Sequence, residues 1–176
     1  MRLSMNFIHI PKTGGTSIYV TLGIEEPGHK KLLKYIPDTF TVVRNPFDRL
    51  VSHFFYIKTK NSYYYKEHPN FKELEKGNFD DYLYLCKQDS KFYLEPQSYY
   101  VCDKDDNILV DHVLRYETLQ EDFNKFWDLK LPHLNKSDRD KYWNKYYNEN
   151  TIKTVYEFYK KDFKIFNYDT RTKRLG

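Results

Sequence analysis

Cysteine is scarce in this chain. Its 176 residues hold only Cys86 and Cys102, which are not arranged as a CxxC pair, so neither a disulfide framework nor a thiolate metal knuckle is expected. His9, His29, His53, His68, His112 and His133 are scattered singly, and no metal site is signalled. No run of one charge sign stands out. The net charge of +4 arises from mixed residues and is too small to argue for nucleic acid, though it suits an anionic ligand. The densest basic group, Arg171, Lys173 and Arg174, reads as a solvated tail. No apolar stretch is long enough to span a bilayer. Residues Met1 to Asn6 run straight into the first apolar segment, so no signal peptide is expected and the chain is placed in the cytoplasm.

What the chain has in abundance is aromatic side chains, with 18 Tyr and 13 Phe. Tyr can bury a ring while its hydroxyl stays wet. The length fits a single domain over residues 1–176 with one substantial core. No repeat or linker divides it.

Apolar residues from Phe7 to Ile10 predict a buried strand, followed by a tight loop and a helix starting near Thr16. Thr39 to Val43 is rich in β-branched residues and predicts a second strand. Asn45-Pro46-Phe47-Asp48 then combines an N-cap, a Pro at the first helical position and an acid in the first turn. Phe47, Leu50, Val51, Phe54 and Phe55 follow at helical spacing and mark a core face. Residues 58 to 78 read as an irregular, partly helical excursion, and Phe79 to Cys86 as a short helix. Tyr99-Tyr100-Val101 and Ile108-Leu109-Val110 flank a turn and are expected to pair as a hairpin. A strand is expected over Asp111–Tyr116, a helix over Glu117–Leu129, and a last helix around Ile152, Val155, Tyr156, Tyr159 and Phe163. Strands alternating with helices predict an α/β sandwich with a mainly parallel sheet.

The chemistry concentrates in Pro11-Lys12-Thr13-Gly14-Gly15-Thr16-Ser17. A Gly-Gly loop between strand and helix offers backbone N–H groups and the positive end of a dipole to a phosphate-like anion. Lys12 adds a point charge, and Thr16 and Ser17 add hydroxyls. The loop is not a Walker A motif, because Lys12 precedes the glycines. The second strand ends in Arg44, a permanent cation that would repel Mg²⁺ where a triphosphatase wants an acid. Arg44, with Ser52 reaching outward from the next helix, suits a second phosphate. Two anion sites on adjacent strand ends describe a ligand with two separated anionic groups and no metal.

These segments resemble known ones. Phe7 to Ser17 resembles the 5′-phosphosulfate loop of sulfotransferases that use 3′-phosphoadenosine 5′-phosphosulfate (PAPS), and Thr41 to Ser52 resembles their 3′-phosphate motif. The likeness is greatest to the carbohydrate (Golgi-type) family of heparan sulfate 2-O and chondroitin enzymes. It continues through His112–Leu119, Leu131–Ser137 and Asp162–Tyr168. It implies a P-loop-like three-layer sandwich. It also implies Lys12 on the leaving 5′-phosphate, with Thr13, Gly14, Gly15, Thr16 and Ser17 around it, and Arg44 with Ser52 on the 3′-phosphate. The acceptor would be a hydroxyl of a glycan or glycolipid.

A hydroxyl acceptor needs a base, and His29, lying between the two donor motifs, is the first candidate by its near-neutral chemistry. His53 ranks second; Glu25 and Glu26 are fallbacks. Gln97, Arg115 and Lys136 are supporting candidates, for the acceptor side, for pairing with carboxylates and for a loop over the nucleotide. The competing readings are a P-loop kinase and a nucleotide-binding module without catalysis.

Overall fold

The computed structural model describes residues 5–59, 71–88, 94–134 and 137–171. Its framework is a three-stranded parallel sheet in the order β1-β2-β3, built from β1 (Asn6–Ile8), β2 (Thr39–Val43) and β3 (His112–Arg115). The register pairs Phe7 with Phe40, Phe40 with His112 and Val43 with Arg115. Every residue of β2 is buried, as expected of a central strand covered on both faces, where continuous apolar character replaces alternation. The buried threonines of this strand satisfy their hydroxyls locally. Thr41 donates to the Ile8 carbonyl at 2.8 Å and Thr39 to that of Ile36 at 2.8 Å.

Helices flank the sheet, giving the α/β architecture expected. On one side Phe7, Phe40, Val42 and Leu114 pack with Ile18 of α1 (Gly15–Leu22) and with Phe123 of α6 (Leu119–Asn124). Ile10 and Val43 belong to a separate cluster with Tyr100 and Val101 of α5 (Gln97–Val101). The largest cluster joins α2 (Pro46–Ile57), α4 (Phe79–Gln88) and α7 (Glu149–Ile165). The start of α2 follows its sequence closely. The Asn45 side chain accepts from Phe47 N at 2.9 Å, and Pro46 occupies the first turn. Asn148 and Thr151 form a reciprocal capping box at the head of α7, satisfying donors that the helix cannot. A further short helix, α3 (Phe71–Lys76), precedes α4; the rest of the expected excursion, residues 60–70, lies outside the described residues, as does His68.

Two expectations need correction. Residues 97–101 form helix α5 rather than a strand, because the Asp162 carboxylate accepts from Gln97 N at 2.7 Å and Ser98 N at 2.9 Å. That charge-assisted cap favours a helical turn where β-rich composition pointed to a hairpin. The pairing survives only as an antiparallel bridge between Cys102 and Ile108, with Asp103 closing the turn by accepting from Asp105 N and Asn107 N. The helix expected over 117–129 is also shorter. A 3₁₀ turn at Tyr116–Thr118 leads into α6, which ends at Asn124. The Gln120 amide donates to the Leu129 carbonyl at 2.9 Å and accepts from Leu131 N at 2.8 Å, so it folds the chain back on the helix.

Cys86 and Cys102 are both buried and neither is in a disulfide. Burial pushes their thiols up to about 12 and about 11, so neither is a reactive thiolate. Lys173 and Arg174 lie beyond the described residues, while Arg171 pairs with Asp169.

Candidate active site

Because the sheet is parallel, the ends of its strands open on one edge, which is where open α/β sheets bind ligands. β1 runs out through His9 and Ile10 into the loop at Lys12. β2 runs out into Arg44, and β3 into Tyr116. The loop is held tightly. Thr13 donates its hydroxyl to the Ile10 carbonyl at 2.8 Å, and the backbone turns left-handed at Lys12 (φ 67) and Gly14 (φ 86). Such a backbone suits Gly14 and strains Lys12, a pattern that concentrates at functional loops. α1 begins at Gly15, so the first N–H groups of the helix have no acceptor within it.

The glycines have packing reasons as well. A Cβ at Gly14 would approach the Tyr116 ring to 3.1 Å, and one at Gly15 would overlap the His9 imidazole at 2.2 Å.

Arg44 is buried at 4% exposure and pairs with Asp48 within the site. Its guanidinium donates to Asp48 Oδ2 at 2.6 and 2.9 Å and to the Lys12 carbonyl at 3.1 Å. It also lies 3.8 Å over the Tyr116 ring. The other oxygen of Asp48 accepts from Arg139 at 2.6 Å, so one carboxylate bridges two guanidiniums. Arg49, at 1% exposure, donates to the carbonyls of Pro11 and Glu95 at 2.9 Å each. Its Nη2 is buried without a partner. Lys12 sits 4.0 Å over the Tyr56 ring. Burial first, then Arg44, Arg139 and Arg49, push the Lys12 ammonium down to about 8. Asp48 offsets part of this positive charge and Asp162 acts on Arg49, and a low-dielectric crowd of cations attracts anions.

The other sequence candidates fall in different places. Ser52 is buried one turn after Asp48, rather than reaching outward. His53 is buried, bonded through Nδ1 to the Tyr82 hydroxyl at 2.8 Å, and held near a pKa of about 3 by burial, Lys12 and Arg49. It is a neutral core group. His29 is exposed, with Nδ1 3.1 Å from the His9 carbonyl. A carbonyl only accepts, so Nδ1 carries the proton and Nε2 of the neutral ring holds the lone pair. Glu25 and Glu26 are exposed.

Gln97 exchanges both amide bonds with the Arg44 backbone, at 2.7 and 2.9 Å, and so fixes the end of β2. Arg115 donates to the Phe166 carbonyl and stacks on Tyr168 instead of pairing with a carboxylate. Lys136 lies outside the described residues. Sequence reasoning missed His9, Arg49 and Arg139. Arg49 follows Asp48 directly but lies off the apolar stripe, and Arg139 lies just past the loop in which Lys136 was singled out.

Among the described residues no three His, Cys, Asp or Glu gather in a way that could hold a metal ion, and no helix is long and apolar enough to cross a membrane. A family model described as "Sulfotransferase family" matches residues 2–169. The chain belongs to the sulfotransferase family. No curated protein and no solved structure gave a significant match. The matched span takes in all three strands, the Lys12 loop and Arg139, so the cation cluster of this sulfotransferase lies wholly inside its family domain. The protein is thus a transferase for sulfuryl groups.

Proposed function

We propose that this sulfotransferase uses PAPS as donor and a carbohydrate hydroxyl as acceptor, in the manner of the carbohydrate sulfotransferases its motifs resemble. The observation that carries the reading is the crowding of Lys12, Arg44, Arg49 and Arg139 at the strand ends, with Asp48 bridging two of them. The donor set fits a ligand with two anionic ends. Lys12 and the backbone N–H groups from Thr13 to Thr16 would hold the 5′ end, and Arg44 with Ser52 the 3′-phosphate. PAPS supplies a sulfuryl group already activated on a phosphate.

The chain's own residues then have three tasks. Lys12 neutralises charge on the leaving side, and the buried guanidiniums supply a preorganised positive field that needs no rearrangement. The loop and Arg44 fix the donor so that an acceptor hydroxyl can approach in line. His29, with Nδ1–H donated to the His9 carbonyl, offers Nε2 as the base that takes the acceptor proton.

Replacing His29 with Ala tests this directly. Sulfate transfer from labelled PAPS to a panel of oligosaccharides should fall by about 100-fold or more, as for a general base, while 3′-phosphoadenosine 5′-phosphate still binds. Unchanged turnover would remove His29 as base. No transfer by the wild type to any acceptor would favour a binding module.

A further inference from the structure

His9 touches both the Gly15 loop and His29. Its ring is 7% exposed and lies against the first residue of α1, filling the space that a Cβ on Gly15 would enter at 2.2 Å. It stacks on Phe7 at 5.4 Å and meets the His29 ring edge-on, with centroids 4.4 Å apart at 60°. Its carbonyl takes the His29 Nδ1–H. Main chain and side chain of one residue therefore hold His29 at two points. The ring is also uncharged at any working pH: burial, then His29 and Lys12, lower it to about 3. Its Nδ1 is buried without a partner, so hydrogen bonding does not explain its place. A charged side chain here would meet Lys12 on one side and His29 on the other.

We propose that His9 is a positioning residue for sulfuryl transfer, its ring wedged between Gly15 and His29 so that His29 keeps Nδ1 protonated and Nε2 free for the acceptor. This rests on reading His29 as the base. It also gives Gly15 a second meaning: the glycine is required by the imidazole behind the loop, whatever anion sits in front of it.

Histidine-selective ¹H–¹⁵N spectra of the full chain at pH 8 read the tautomer without any acceptor. Wild type should show His29 protonated on Nδ1 alone. His9→Ala removes the wedge and Gly15→Ala displaces it, and each should give a mixture of tautomers. With labelled PAPS and the oligosaccharide panel, each should lose about 10-fold or more in kcat, as small misplacements do, while for His9→Ala the KM for PAPS changes little. In the His9→Ala background, Gly15→Ala should add almost nothing, since the ring it displaces is gone. Circular dichroism checks that each variant is folded, and Gly15→Ala keeps the test open if His9→Ala is not.

A wild-type-like His29 tautomer in either folded variant would overturn the inference. If His29→Ala leaves turnover intact, the base reading falls, and the role of His9 falls with it. If His29→Ala abolishes turnover but His9→Ala leaves kcat unchanged, only the role of His9 falls.

Discussion

The strand-end cation cluster and the strap of residues 24–38 face the same chemistry but are built in opposite ways. In the cluster, each guanidinium is fixed by several partners. Arg44 is held by Asp48, the Lys12 carbonyl and Tyr116; Arg49 by two carbonyls; Arg139 by Asp48. The strap has no regular structure and hangs on a few contacts. Leu32 N bonds the Tyr100 carbonyl, Tyr35 bonds Asp111, and His29 bonds His9. Leu33 is 89% exposed, and Ile24, Tyr35 and Ile36 are exposed as well. A charged, chemically fixed ligand can be met by a rigid constellation, and we assign the donor to that side. The strap carries His29, and with it the acceptor side of the proposal.

The contrast can be broken most sharply at Arg44. Arg44→Ala should lower affinity for 3′-phosphoadenosine 5′-phosphate by roughly 100-fold or more by calorimetry, in the range of about 2–5 kcal/mol for truncating one partner of a buried charge pair. It should also destabilise the fold, because Asp48, only 13% exposed, is left to Arg139 alone among the described residues.

Acid is expected to destabilise the buried histidines' surroundings next. His9 and His53 are held near 3 in the folded protein, against an ordinary value of about 6.5 in the unfolded chain. The unfolded state therefore binds more protons in that window. Their contribution is full above about pH 6.5 and is lost as pH falls towards 3, at up to about 1.4 kcal/mol per pH unit for each. Urea unfolding between pH 7 and 4 measures this slope, and His53→Phe should flatten part of it.

Lys12 gives a smaller effect of the same sense at higher pH. Its depressed pKa of about 8 means that stability rises with pH between about 8 and 10.5, whereas anion affinity should weaken as pH climbs through 8. Lys12→Gly removes both a desolvated charge and left-handed strain. It should stabilise the fold by about 1 kcal/mol while donor binding collapses, as strained functional residues do when relaxed. At the strap, Leu33→Ser should change stability by no more than about 0.5 kcal/mol, the range for exposed positions. A larger loss would mean that the strap is packed and the contrast is overstated.

The frame of the molecule was legible in the sequence because local signals agreed with one another. Asn45 and Pro46 start α2 where their types require, and Thr39–Val43 is the buried central strand. The Lys12 loop and Arg44 do meet at one sheet edge, as strand ends must in a parallel sheet. What the sequence hid were partners brought from far along the chain. Asp162 turns residues 97–101 helical from some 60 positions away. Arg139 reaches back to Asp48 across 91 positions. Arg49 lies off the apolar stripe of α2 and is nevertheless buried against two carbonyls. His9 looked like one polar break in an apolar strand; its contact with Gly15 requires the fold. Ser52 was expected to be outward-reaching and is buried, as Arg44 is.

The central claim is that the cation cluster is a metal-independent site for the donor nucleotide. Thermal unfolding of the full chain with 3′-phosphoadenosine 5′-phosphate in the presence of EDTA tests it most directly. A ligand at about 100 times its Kd should add about 2.7 kcal/mol, raising the unfolding midpoint by several degrees, and Arg44→Ala should abolish the rise. No shift with this nucleotide, together with a clear shift with Mg²⁺-ATP, would contradict the account.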